Sequence, residues 1–219
     1  MLEREGPVIA AVVVTAALVA LVPSSDPERP DSSEPPETAF LQAYERSLTV
    51  EAVVDSVFTR TVTDGRELSF DQRLVQRPPD DRLVIGAGTA VGRIDGRVVR
   101  CSSATGELIC TQGDEAPPYD EEVADEVAAL ASLVDPDTGA YEVTTVDDGC
   151  FALDLVVEVL SPPYGTSAEF CFDDATGVQR SVEVVRDEAT DRTEAVEIRT
   201  EVTDADLRPD DLGEPVVTG

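Results

Sequence analysis

The spacing of apolar positions changes several times along the chain, and each change marks a boundary. Residues 7–22, PVIAAVVVTAALVALV, form an unbroken apolar run. It is long for the core of a signal peptide and short for a membrane-spanning helix. Residues 23–35, PSSDPERPDSSEP, bury nothing apolar, and their proline and acid content predicts an extended linker. Phe40, Leu41, Tyr44 and Leu48 then recur at helical spacing, predicting an amphipathic helix over 36–48. From residue 50 the period falls to two. The segments VVDSVFTRTVT and RELSFDQRLVQ are joined by Asp64-Gly65, and a second Asp-Gly pair follows at Asp95-Gly96, so successive β-hairpins are expected. The alternation breaks once, at PPYDEEVADEVAALASLVD. There Asp120 is placed to cap a helix over 120–134 whose stripe is Val123, Val127, Leu130 and Val134. Strands are expected again at 140–147, 150–160, 167–173, 178–186 and 192–202. About ten strands and two helices predict an α+β fold, a strongly curved antiparallel sheet wrapped around the helices.

Composition narrows the chemistry. The 219 residues carry 46 Asp and Glu against 16 basic residues, a formal net charge of −30, which disfavours nucleic acid and anionic headgroups as partners. Every basic residue is Arg, and Lys, His, Asn and Trp are absent, a pattern pointing to a GC-rich bacterial genome. Without His or Lys there is no His-based triad, no Schiff base and no P-loop lysine. No cofactor, no metal and no enzymatic activity is expected. The export signal at 7–22 lacks a small-x-small cleavage site, and no Cys follows it to take a lipid, so an uncleaved single-pass anchor is favoured over a cleaved signal segment. Arg4 and the free amine place the N-terminus on the cytoplasmic side and the domain on the extracytoplasmic side of the cell membrane.

Four cysteines agree with an oxidising compartment. A two-residue turn at Thr105-Gly106 sets Cys101 opposite Cys110 in a non-hydrogen-bonded pair, within reach of a disulfide. In CFALDLVVEVL, Phe151, Leu153, Leu155, Val157 and Val159 share one face, leaving Cys150 on the other. In EFCFD, Phe170 and Phe172 face away from Cys171. Antiparallel pairing of these strands predicts Cys150–Cys171 beside Cys101–Cys110.

Three motifs have plainer readings. VIGAGTAVG at 84–92 lacks the third glycine of a dinucleotide fingerprint and the helix after it. It reads as a glycine-rich strand that bends or passes close to another backbone. DPDTGAYE at 135–142 has its glycine one place early for a calcium loop and Val146 at the twelfth position, so it reads as a helix-to-strand turn. Glu121, Glu122, Asp125 and Glu126 read as a solvated helix face beside an N-terminus that favours acids.

The order of these pieces resembles the lipoprotein-carrier (LolA) superfamily over about residues 36–210. It runs from helix 36–48 through paired long hairpins, helix 120–134 and a Cys-containing hairpin to FDDATGVQRSVEVVR and a closing strand ending in VTDADL. Relatives in that superfamily include LppX/LprG-type lipid-binding lipoproteins and RseB/MucB-type envelope sensors. The resemblance implies an unclosed half-barrel around two helices, with acyl chains held in its hollow. It makes Phe151, Leu153, Leu155, Phe170 and Phe172 the candidate cavity residues, although the same five would line an ordinary core. The chain departs from the lipoprotein members in having no lipobox, its first Cys being Cys101. The expected organisation is an anchor or signal segment at 1–22, a linker at 23–35, a LolA-like extracytoplasmic domain at 36–210 and a tail at 211–219. The expected partner is the acyl chain of a lipid or lipoprotein, bound without catalysis. The alternative is a regulatory interaction module with a filled core that contacts an envelope membrane protein.

Overall fold

The structure is a computed structural model that describes residues 34–103, 108–147, 149–208 and 216–218. The expectations for 7–22, for nearly all of the linker, for the turn at Thr105-Gly106 and for most of the 211–219 tail lie outside these residues. No helix among the described residues is long and apolar enough to cross a membrane.

Helix α1 (Pro36–Thr49) opens with proline in its first turn, where the fixed φ suits a helix and no amide is lost. Its last carbonyls are satisfied from outside the helix. Gln76 Nε2 donates to Ser47 O at 2.7 Å and to Val50 O at 2.6 Å, and Tyr119 Oη donates to Leu48 O at 2.5 Å. Strands β1 (Ala52–Val62) and β2 (Glu67–Arg77) form the hairpin read from Asp64-Gly65, with Gly65 at φ +88°. Strands β3 (Asp81–Gly86), β4 (Thr89–Ile94), β5 (Arg97–Ser103) and β6 (Leu108–Glu115) continue the meander, and helix α2 (Tyr119–Leu133) follows. Then come β7 (Tyr141–Asp147), β8 (Cys150–Leu155), β9 (Ser167–Phe172), β10 (Gln179–Val185), β11 (Ala189–Arg199) and the short β12 (Val216–Thr218).

All pairings are antiparallel. The sheet runs β6-β5-β4-β3-β2-β1-β11-β10-β9-β8-β7, with β12 added to the start of β2. Among the described residues this is an unclosed sheet of twelve strands, eleven in one path and β12 beside β2, with two helices, an α+β fold. The two meanders, β1–β6 and β7–β11, are joined at β1–β11, where Val62 meets Ala189 and Val53 meets Arg199.

Both disulfides form as expected. Cys101 and Cys110 are register partners with Cα atoms 4.0 Å apart, and Cys150 and Cys171 likewise at 4.1 Å. Cys150 and Cys171 lie on the face opposite Phe151, yet both are buried, so that face is not open to solvent there. Arg180 approaches Cys150 Sγ at 3.6 Å.

Four local expectations are corrected. Strand β8 stops at Leu155, leaving Val157 and Val159 in an exposed loop, because its neighbours run out: β7 begins at Tyr141 opposite Leu155, and β9 begins at Ser167 opposite Asp154. The closing strand is Ala189–Arg199, three residues earlier than the alternation indicated. Helix α2 begins at Tyr119 with Pro118 at its N-cap, so Asp120 does not cap it but joins Glu121 and Glu122 in an acidic first turn. The stretch 84–92 is two strands joined at Ala87-Gly88, both at positive φ, and a Cβ at Gly92 would collide with Arg82 O on β3. The close approach is as read; the single bent strand is not.

The cross-strand register separates two faces. One carries α1 and α2. Phe40 lies at its centre, with ring centroids 5.6 Å from Phe151, 5.3 Å from Phe170 and 6.4 Å from Phe172; Leu130, Val134, Tyr141, Val143 and Leu153 complete the cluster. On the reverse face Val53, Val75, Leu83, Ile85, Ala90, Val99 and Cys101 are covered by Val202 and Leu207. The segment after β11 is thus folded down as a second, smaller cover. Asp206 holds it by accepting first from Arg199 and then from Thr203, which keeps its carboxyl far below the usual carboxylate range.

Candidate functional site

On the helix-bearing face, side chains alternate into view at every second position, and the register aligns them in rows. One row runs Phe151, Phe170, Val182, Thr193, Phe58 and Phe70 across β8, β9, β10, β11, β1 and β2. The next runs Val54, Leu74, Val84 and Val91 across β1 to β4. The helices treat the two ends differently. At the β8–β9 end Phe40 covers the row. At the other end Phe58 and Phe70 stack at 4.8 Å and remain half-buried, while Val84, Val91 and Ile109 stay 44%, 52% and 60% exposed. A strip of apolar side chains, interrupted by the row Ser56, Gln72 and Thr89, is therefore left partly open on the face that elsewhere is core.

Two concavities adjoin this strip. A hollow of about 180 Å³ lies where the C-terminal turn of α1 meets the sheet. Its walls include Leu48, Ala52, Val54, Leu74, Val84, Val178 and Ala195, with Tyr44, Ser56, Gln72, Gln76, Arg82 and Thr193 supplying polar groups. A groove of about 1050 Å³ lies farther along, between the β1–β2 turn, the β10–β11 turn and the loop after β8. Arg60, Val62, Arg186, Ala189, Val159 and Leu160 are among its lining residues. On β1 the alternation runs Val54 and Ser56 in the hollow, then Phe58, then Arg60 and Val62 in the groove. At about 3.3 Å per residue this stretch is about 26 Å long.

Charges are paired around both concavities. Asp191 accepts from Arg60 Nε at 2.6 Å and from Arg60 Nη2 at 2.7 Å, and lies 3.3 Å from Arg186 Nε; the Arg60 pairing holds its carboxyl below the usual range. Arg186 also donates to Pro162 O and Pro163 O, and Tyr141 Oη donates to Gly165 O while accepting from Tyr164 N, each at 3.0 Å for the tyrosine. The loop base is thus fastened, with Val156 N donating to Ala140 O, and beyond it Val157 and Leu160 are exposed, the last 97% so. Near the hollow, Tyr44 Oη donates to Glu126 at 2.7 Å. Burial first, and Glu126 second, push the phenol far above its usual range. Arg93 lies over the Tyr119 ring at 5.3 Å and donates to Pro117 O, joining α2 to β4.

The sequence-derived candidates sit as follows. Phe151, Leu153, Phe170 and Phe172 are buried and Leu155 is partly so, all five in the packed cluster around Phe40. Neither concavity is lined by any of them. Phe58, Phe70, Leu74, Gln76, Arg82 and Val84 were not singled out from the sequence. The available signal was the period-two set Phe70, Gln72, Leu74, Gln76, which alternates polar with apolar residues on the face that Phe151 and Phe170 make apolar farther along. The glutamates of α2 divide: Glu126 and Glu122 pair with Arg82 and Arg93 at 3.6 and 3.5 Å, and Glu121 is exposed. Asp135 accepts from Asp137 and Thr138 in the turn expected of DPDTGAYE.

No family model and no curated protein matches the chain by sequence. Solved structures similar to it include a LolA superfamily protein from Nitrosomonas europaea, 8% identical with TM-score 0.35, covering 80% of this chain and 97% of that one. MucB in complex with MucA(peri) is 12% identical with TM-score 0.44, covering 78% and 59% respectively. The lipoprotein LppX of Mycobacterium tuberculosis is 12% identical with TM-score 0.34, covering 76% and 98%. Identities and TM-scores this low leave the function to be argued from the chain's own residues.

Proposed function

We propose that the chain is a non-enzymatic extracytoplasmic domain that binds the acyl chain of a lipid or lipoprotein along the helix-bearing face of a half-barrel, tethered to the cell membrane by residues 7–22. The observation that supports it is the open strip from the hollow past Phe58 and Phe70 to the groove. Its length of about 26 Å exceeds the roughly 15 Å that one leaflet's chains span, half of a hydrocarbon core of about 30 Å. Each CH₂ buried there contributes about 0.8 kcal/mol, so burial supplies the affinity, and Arg60 and Arg186, which line the groove, are already paired with Asp191. The two disulfides fit an oxidising compartment.

The test is native mass spectrometry of the full chain, delipidated and then titrated with long-chain lipids, beside the Phe58→Asp variant. Wild type is expected to gain lipid mass, and the variant to lose most of that binding while melting within a few degrees of wild type. Absence of any lipid adduct on wild type would sink the reading. One feature favours a second reading, contact with an envelope membrane protein: the exposed apolar side chains of the loop after β8, Val156, Val157 and Leu160, on a surface rich in carboxylates.

A further inference from the structure

On the helix-bearing face, Arg82 on β3 and Arg93 on β4 are direct cross-strand partners. Helix α2 crosses the strands above them. Glu126 lies 3.6 Å from Arg82 and Glu122 lies 3.5 Å from Arg93, so two acids one helical turn apart meet arginines on two adjacent strands. About 6.6 Å farther along the strands comes the row Leu74, Val84, Val91, Arg100 and Thr111, from β2 to β6, and then the row Gly86, Thr89, Ser102 and Ile109. Neither row contains a carboxylate, in a chain where 46 of 219 residues are Asp or Glu. No helix covers them: Val84, Val91 and Ile109 are exposed, and so is Arg100. Among the described residues Arg100 is in no ion pair. The sheet thus continues the cationic, acid-free chemistry on which an acidic helix already rests, with more apolar surface and nothing resting on it.

We infer that this wing of the sheet is the docking surface for an amphipathic helix of a partner protein, laid beside α2 with an acidic first turn over Arg100. Packed helices lie about 8–10 Å apart, so a neighbour of α2 rests on Val84 and Val91. From Leu74 on β2 to Thr111 on β6 there are four strand spacings, about 19 Å, which a helix of about 13 residues spans. Charge sets its direction. Arg100 attracts carboxylates at the β5 end, and a helix N-terminus there favours them as well. Glu122 and Glu126 flank the inner side and repel any acid placed against α2. Helices α1 and α2 bury their own apolar stripes, Phe40 and Leu48 on the one and Val123 and Leu130 on the other, so a second copy of the described domain has no helix to offer. The surface does not depend on the acyl-binding reading.

The experiment titrates the full chain with two fluorescent, side-chain-stapled helical peptides of about 13 residues, read by anisotropy. Both carry Leu at every third or fourth position; one has Glu in its first turn and the other Lys. Salt of about 0.15 M screens charges more than about 8 Å away. The Glu peptide is expected to bind about fivefold tighter, the scale of one exposed ion pair, whereas the net charge of the chain alone predicts the opposite order. Arg100→Glu is expected to reverse the preference, and Val91→Asp to weaken both peptides about tenfold. Both side chains are exposed, so both variants are expected to melt within a few degrees of wild type. Binding of neither peptide, or affinities that ignore both substitutions, overturns the surface. Displacement of the Glu peptide by palmitate also overturns it and assigns the face to an acyl chain. A wild-type dimer in sedimentation that Val91→Asp turns into monomer overturns it in favour of a second copy.

Discussion

Single hydrogen-bonding side chains fasten the loops to the sheet. Tyr141 both donates to Gly165 O and accepts from Tyr164 N, so Tyr141→Phe leaves two backbone groups short of a partner. A loss of about 1–3 kcal/mol is expected, read as a lower urea midpoint with unchanged m-value. Asp191 gives a pH signature. Its carboxyl is held below the ordinary value, first by Arg60, so its contribution is complete above the unfolded value near 3.9 and is lost as pH falls through the lowered folded value. Urea midpoints measured from pH 6 down to pH 2 should fall less steeply for Asp191→Asn than for wild type. A parallel decline in the two proteins would show that Asp191 adds nothing to acid sensitivity.

The elements differ in what their apolar residues are for. Phe151 and Phe58 stand in the same row of the same face, yet Phe151 is packed against Phe40 and Phe58 is half-buried beside Phe70. Phe151→Ala is expected to cost about 3–5 kcal/mol, as for an aromatic side chain deleted from a core. Phe58→Ala is expected to cost much less and to weaken acyl binding instead. If melting temperature falls equally in both variants and binding in neither, the open strip is only an unfinished core. The disulfide between β8 and β9 closes a loop with sequence separation 21, so replacing Cys150 and Cys171 together by Ala should cost about 3 kcal/mol of chemical stability.

For the molecule as a whole, local pattern in the sequence carried much of the fold. The Asp-Gly turns, the alternation around each cysteine and the helical spacing of Phe40, Tyr44 and Leu48 defined hairpins, bridges and a helix, because each depends on residues close in sequence. The end of β8 was not legible, since it is decided by where β7 and β9 begin. Nor was the reverse-face cover by Val202 and Leu207, which lies between β11 and β12 and has no period of its own. Of the proposed site only the face was legible. Alternation finds the apolar face but not which part of it a helix covers: Phe151 and Phe170, singled out from the sequence, lie under Phe40, while Phe58 and Phe70 are half-buried and Val84 is exposed.

The seam between the two meanders governs when the chain can fold. Every other neighbouring pair in the eleven-strand order joins strands that follow one another in sequence, but β1 waits for β11, more than a hundred residues later. Non-local pairing of this kind is slow, because loop-closure entropy is spent before the contacts that offset it exist. A chain emerging from a ribosome or a translocation pore therefore cannot complete its sheet until Arg199 is out. Until then it is two strips of hairpins with the edge of β1 unpaired on one side.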